Sequence, residues 1–266
     1  MIKKIVHSLH ILGYRRWQKF FERLYSFSLV GMNIGRAAKV EDDGELRVIQ
    51  YICNTEHTDN LVVFDVGANI GSYTKALEGQ FKERATIYSF EPSQKTFQTL
   101  SKNINSDSKY ADNIKLYNLG LGNAEGKITL FSDADNSGLA SVYKRRLDHS
   151  GISMNQSESV MITTLDNFCA KNNIKTIDFL KMDVEGHELS VLDGAKKLLD
   201  ADAIKYIQFE FGGNNIDSRT FFQDFYYLLS PKFNLFRIVK DGLYPITEYK
   251  ETYECFMCSN FFAERK

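Results

Sequence analysis

From Leu61 onward the sequence switches repeatedly between short apolar runs and stretches of helical period, and this alternation leaves few architectures open. "LVVFDV" (61–66) reads as a buried strand, and "SYTKALEGQF" after it as a helix with Ser72 at its N-cap. "ATIYSF" is a second strand. "PSQKTFQTLSKNI" carries a proline in its first turn and sets Phe97, Leu100 and Ile104 on one helical face. "IKLYNLGLG" reads as the third strand, with "GKITLF" adding another beyond a turn at 123–126. "VMITTLDNFCAKNN" gives strand then helix, "IDFLKMDV" a strand, "HELSVLDGAKKLL" a helix with Leu189, Leu192 and Leu199 inward, and "AIKYIQFEF" a fifth strand. The tail adds a helix at "RTFFQDFYYLLS" and strands at "FNLFRIVK" and "YECFMCSNFF". Repeated strand–helix units require crossovers over the sheet, hence a parallel sheet covered on both faces. Ligands of such doubly wound sheets collect at the carboxyl ends of the strands.

Residues 1–58 precede the alternation as a helical extension, including a short helix at 44–54, and 59–266 form one elaborated domain. Within it, the polar stretch 133–158 interrupts the pattern as an insertion or lid. In the leader, Ile5, Leu9, Leu12, Trp17, Phe20, Phe21 and Leu24 recur at helical spacing among Lys3, Lys4, Arg15, Arg16, Lys19 and Arg23. Such a segment packs on the following domain or lies on an anionic membrane surface. It lacks the unbroken apolar region of a signal peptide, and no run reaches the length of a membrane span. Cytoplasmic residence is expected, with contact at the inner membrane face through residues 1–30 as an open option. The net charge of −1 gives no global pull toward nucleic acid, and no partner of that class is expected. Four scattered cysteines fit a reducing compartment; Cys255 and Cys258 read as ordinary strand residues rather than half a zinc site.

The first turn, Asp65-Val66-Gly67-Ala68-Asn69-Ile70-Gly71, has neither the G-x-G-x-x-G spacing of a dinucleotide site nor the Lys-Ser/Thr of a P-loop. Its glycines suit a sharp turn and close ligand approach, and its leading carboxylate suits a cationic ligand better than a phosphate. Glu91 ends the second strand, where an acid matches the paired hydroxyls of a ribose. A ribose-bearing, cationic, phosphate-free cofactor is S-adenosylmethionine. "VVFDVGANIGSYT", "IYSFEPSQKTFQTLSKNI", "LGLGNAEGKITLF", "TTLDNF", "IDFLKMDVEGHELSVLDGAKKLL" and "IQFEF", in that order over roughly residues 60 to 212, together resemble the FkbM family of S-adenosylmethionine-dependent methyltransferases. That resemblance implies a class I methyltransferase fold, Rossmann-like and doubly wound, with about seven strands and the last antiparallel. It implies O-methylation in glycan, lipid-linked or secondary-metabolite biosynthesis. It also implies that Asp65, Gly67, Asn69 and Gly71 line the methionine end of the cofactor, that Glu91 holds the ribose, and that "LGLGN", with Gly122, borders the adenine. The acceptor is not carried over.

Transfer from a sulfonium asks for alignment, exclusion of water and removal of a hydroxyl proton. Asp183, Glu185 and His187 cluster where the methyl group is expected, and His187 is the natural base because its ordinary pKa lies near operating pH. The plainer alternative is that Glu185 and His187 only cap the helix. These acids, with Glu210, offer a divalent-cation site that is not favoured, since no spacing is diagnostic. Lys144, Arg145 and Arg146, inside the insertion, are either solvated surface or the receiver of an acceptor's phosphates, and Glu210 stands with them as a candidate substrate contact. The reading is an O-methyltransferase acting on a hydroxyl of a sugar or glycan precursor, so that its partner is a small-molecule or glycan substrate. Lipid or secondary-metabolite acceptors, a catalytically silent cofactor-binding scaffold and a nucleotide-dependent oxidoreductase are the alternatives.

Overall fold

A computed structural model describes residues 11–35, 43–106 and 113–266. Leu61–Val66 (β1), Ala85–Phe90 (β2), Ile114–Tyr117 (β3), Ile177–Met182 (β7) and Ile204–Phe211 (β8) pair in parallel, as crossover connections demand. Phe233–Val239 (β9), Gly242–Ile246 (β10) and Ser259–Arg265 (β11) complete an eight-stranded sheet of order β10-β9-β11-β8-β7-β1-β2-β3. β11, last in the chain, inserts antiparallel between β8 and β9. This is the class I methyltransferase arrangement with one addition, β10, a hairpin partner of β9 at the sheet edge. The Asp-Gly step at 241–242 between apolar runs is its local signal, and only an edge strand accommodates Pro245.

Helices cover both faces because β1, β2 and β7 are apolar on both sides. Glu45–Thr55 (α2), Ser72–Phe81 (α3) and Gln94–Asn105 (α4) bury Val48, Ile49, Leu77, Phe81, Leu100 and Ile104 against one face. Leu165–Lys171 (α5), Glu188–Asp193 (α6), Lys196–Asp200 (α7) and Phe222–Leu229 (α9, after the short Asn214–Ser218, α8) bury Phe168, Leu192, Leu199 and Phe225 against the other. Gly120–Leu121 (β4), Gly126–Ser132 (β5) and Gln156–Thr163 (β6) form a separate three-stranded sheet.

Four local expectations change. "IKLYNLGLG" splits between β3 of the large sheet and β4 of the small one. The helix at 187–199 is broken at Gly194, whose carbonyl accepts the Asp166 N–H at 3.0 Å and where a side chain would stand 2.0 Å from the Gly122 carbonyl oxygen. Ser72 is the first helical residue after an N-terminal Gly71 and makes no capping bond. Cys255 and Cys258 lie in the turn before β11 rather than on a strand, and both are free. In the leader, Lys3, Lys4, Ile5 and Leu9 lie outside the described residues. Gln18–Gly31 (α1) is helical, and Leu29 is its one buried residue.

Candidate functional site

The turn after β1 closes on the tip of β2, since Gly67 and Ala68 N–H both donate to the Phe90 carbonyl at 3.0 and 2.9 Å. Glu91, next along, is folded back: Oε2 accepts the Asn69 N–H at 3.0 Å and Oε1 the Ser93 N–H at 2.8 Å. Burial outweighs those two bonds and pushes its carboxyl up to about 7. The glycines serve the protein's own close packing, where the sequence suggested approach to a ligand. A side chain at Gly67 would lie 1.9 Å from the Asp183 carbonyl oxygen, and one at Gly71 would lie 2.7 Å from Leu100; both have positive φ. Asp65 stands behind this wall. It is fully buried, accepts from Thr74 Oγ1 at 2.7 Å and pairs with Lys181 at 3.3 Å, and it is absent from the cavity lining. Lys181 also reaches Asp183, at 3.6 Å.

At the tip of β7 the chain makes a second left-handed turn through Glu185 (φ 52) and Gly186 (φ 98). Buried Glu188 pins it by accepting from Val184 N–H at 2.9 Å and Gly186 N–H at 3.3 Å. Its carboxyl is pushed up to about 7, again by burial. Glu185 forms a hydrogen-bonded ion pair with Arg145 and accepts from Asn214 Nδ2 at 3.5 Å. The same Asn214 amide donates to Glu210 at 3.2 Å. Burial first, and then the Asp183 charge, push Glu185 upward against the opposing pull of Arg145. Glu210 is pushed well above the usual range by burial and then by Asp183. Of the basic run, Arg145 points inward while Lys144 and Arg146 point to solvent, as alternate residues of an extended segment must.

His187 is 8% exposed. Its Nδ1 lies 3.2 Å from the Tyr143 hydroxyl, and its Nε2 is buried without a partner. Desolvation holds the ring down at about 4, so it is neutral at physiological pH. Gly122 permits this placement: a side chain there would come within 2.8 Å of His187 Nε2.

Between the two turns opens a cavity of about 740 Å³, including the space at its mouth. Asn69 and Glu91 line one end, and Asp183, Glu185 and His187 another. Phe90, Leu119, Leu121, Leu130, Val160 and Ile162 make an apolar slot between the large and small sheets. Ser137, Gly138, Ala140 and Val142, from the segment between β5 and β6, complete the lining. The Asn69 side chain donates to the Ser137 carbonyl at 3.3 Å and so ties the segment to the first turn. The site thus gathers Gly67, Asn69, Glu91, Asp183, Glu185 and His187, with Arg145 behind Glu185 and Gly122 behind His187. Asp65, Gly71 and Glu210 support it from outside the lining, and Lys144 and Arg146 stand apart from it. Tyr143, Asn214 and the slot residues Phe90, Leu130, Val160 and Ile162 were missed in the sequence, whereas Leu119 and Leu121 fall within "LGLGN". The alternation in "KITLF" and "SVMIT" signals the slot, since Leu130, Val160 and Ile162 are the inward positions of those strands. Among the described residues, no three His, Cys, Asp or Glu side chains converge in a way that could hold a metal ion.

The sequence profile described as the methyltransferase FkbM domain matches residues 65–237. Curated proteins similar to the chain include Methyltransferase 1 of Beauveria bassiana, 26% identical over 51% of this chain and 59% of that protein. The 2-O-methyltransferase NoeI of Sinorhizobium fredii is 25% identical over 62% of this chain and 69% of its own length. Hexuronic acid methyltransferase AglP of Haloferax volcanii is 28% identical over 59% of each. The aligned part therefore spans between 59% and 69% of these relatives.

Proposed function

Because the chain belongs to the FkbM methyltransferase family, we propose that it transfers the methyl group of S-adenosylmethionine to a hydroxyl of a sugar or glycan precursor. The observation that carries this reading is one cavity lined by unlike groups, Asn69 and Glu91 from the first turn and the tip of β2, and the acid–histidine cluster of Asp183, Glu185 and His187 beyond the tip of β7. The residues fit the cofactor. The apolar slot suits a flat purine; Glu91 keeps lone pairs for two hydroxyls beyond the main-chain bonds it accepts; Asn69 Oδ1 is a buried acceptor without a partner. S-adenosylmethionine supplies a methyl group already attached to a good leaving group.

The protein's own work is then binding, alignment and proton removal. Glu91 and Asn69 orient the nucleoside, and Asp183 places negative charge at the far end of the cavity, where a cation would be stabilised. His187, which lines the cavity and is held neutral, takes the acceptor's proton on its ring. Glu185, steadied by Arg145 and Asn214, holds neighbouring hydroxyls of the acceptor. Lys144 and Arg146 stand apart from the cavity and are assigned no contact with the acceptor, and Glu210 acts through Asn214 rather than by contact. The four free cysteines fit a reducing, cytoplasmic setting. The test is incubation with labelled S-adenosylmethionine and separate glycan, lipid-linked and small-molecule fractions. Label in a carbohydrate hydroxyl is expected; S-adenosylhomocysteine binding without any transfer would leave only the scaffold reading.

A further inference from the structure

Helix α1 is an anomaly in the surface. Trp17, Phe20, Phe21, Leu24 and Phe27 recur every three or four residues and share one side, with Tyr25 and Met32 at its margin. Phe20 is 51% exposed, Leu24 47%, Tyr25 59% and Phe27 76%. The opposite side carries Arg16, Lys19 and Arg23, with Glu22 as the one acid in the helix. Such a concentration of exposed aromatic area marks an interaction surface. Its flanking cations select an anionic partner, and a cationic helix with a continuous aromatic face is the form that lies in a lipid interface. Among the described residues, no helix is long and apolar enough to cross a membrane, so the contact is one of lying on the surface.

We propose that α1 docks the protein on an anionic lipid bilayer, its aromatic face in the headgroup region and Arg16, Lys19 and Arg23 against acidic headgroups. The base of α1 is fixed to the rim of the transfer site. Gly35 N–H donates to the Cys258 carbonyl at 2.8 Å, Tyr25 Oη lies 3.8 Å from Cys255 Sγ, and Leu29 is buried. Cys258 in turn abuts Gly212, just past the tip of β8, and Ser259 after it pairs with Phe211. That is the end of β8 that carries Glu210 and leads into Asn214 of α8. Docking through α1 therefore holds the acceptor end of the site at the membrane surface, and the acceptor class this favours is lipid-linked. This second step rests on the methyltransferase reading; the docking does not.

Trp17 is the single tryptophan of the chain, so its emission reports on α1 directly. The full chain is mixed with vesicles of phosphatidylcholine alone or of an equimolar mixture with phosphatidylserine, and both co-sedimentation and Trp17 emission are read. Binding with a blue shift on the anionic vesicles is expected, weakening as salt is raised. Phe20→Ser with Phe27→Ser, or Lys19→Glu with Arg23→Glu, should weaken binding by about tenfold or more while leaving S-adenosylhomocysteine affinity unchanged. Absence of binding, equal binding to neutral vesicles, or a blue shift that follows self-association without lipid would each overturn the proposal. S-adenosylhomocysteine binding by the same samples distinguishes that outcome from failure of the methyltransferase reading.

Discussion

At the β2 end of the cavity, Glu91 accepts two main-chain N–H groups and sits in a wall made chiefly of backbone. At the β7 end, side chains from four separate segments meet, and several remain incomplete. Arg145 Nε, His187 Nε2, Glu188 Oε2 and Asn214 Oδ1 are all buried there without hydrogen-bond partners, against Asn69 Oδ1 and, behind the wall, Asp65 Oδ1 at the other end. Buried polar atoms left unpaired are costly; of these four residues His187 alone lines the cavity, and Arg145, Glu188 and Asn214 stand behind its wall. Under the proposed function, the contrast is between a cofactor end closed by main-chain bonds and an acceptor end built of side chains that are less fully paired.

The sharpest way to break this division is His187→Gln, which keeps hydrogen-bonding capacity but not the base. A fall in kcat of about 10²–10⁴-fold is expected with S-adenosylhomocysteine affinity unchanged, by single-turnover kinetics and calorimetry. An equal loss in both would place His187 at the cofactor end. Arg145→Met should come next. It removes the counter-charge from a carboxylate whose side chain is 15% exposed, where breaking a buried pair costs about 3–5 kcal/mol and partial exposure reduces that. Denaturant midpoints should fall by about 2 kcal/mol in stability terms, and acceptor KM should rise. A variant with unchanged stability and acceptor KM would show that the pair is incidental.

Glu91→Gln sharpens the comparison from the other side. It preserves the shape and one acceptor oxygen, so cofactor affinity should fall by about tenfold, or 1.4 kcal/mol, with little change in kcat at saturation. The same residue supplies a pH signature. With its carboxyl at about 7, Glu91 carries a proton below that pH and offers two ionised acceptor oxygens only above it. Wild-type affinity for S-adenosylhomocysteine should therefore rise from pH 6 to pH 8, and the rise should vanish in Glu91→Gln.

The cofactor end was far more legible in the sequence than the acceptor end. Its residues fall within two contiguous stretches, 65–71 and 91, and strand-end geometry fixes where such stretches point. Even there, period and spacing could not tell which way each side chain faced. Asp65 turned inward because Lys181 and Thr74 offer it a buried charge and a hydroxyl, and neither partner is local in sequence. The acceptor end depends on Tyr143 meeting His187 across 44 positions and on Asn214 meeting Glu185 across 29. Such contacts are set by how the segment after β5 lies over the cavity, which no local pattern encodes. The broken helix at Gly194 has the same origin, a carbonyl that accepts the N–H of the distant Asp166.

The smallest expected effect concerns stability and tests whether the two ends titrate independently. Glu188, with its folded carboxyl at about 7, keeps a proton that the unfolded chain loses above about 4.5. Between those values the folded state binds more protons, so stability contributed by this group falls as pH rises. His187 runs the other way: it stays neutral in the folded state down to about 4 while the unfolded ring charges below 6.5, so its contribution rises with pH over that window. Glu188→Gln should accordingly flatten the decline in stability between pH 5 and 7 by about 1–2 kcal/mol without altering the pH dependence of cofactor affinity set by Glu91. Should the Glu188 variant also move the affinity profile, the two ends would share one titration, and the proposed division between a cofactor end and an acceptor end would give way to a single coupled network.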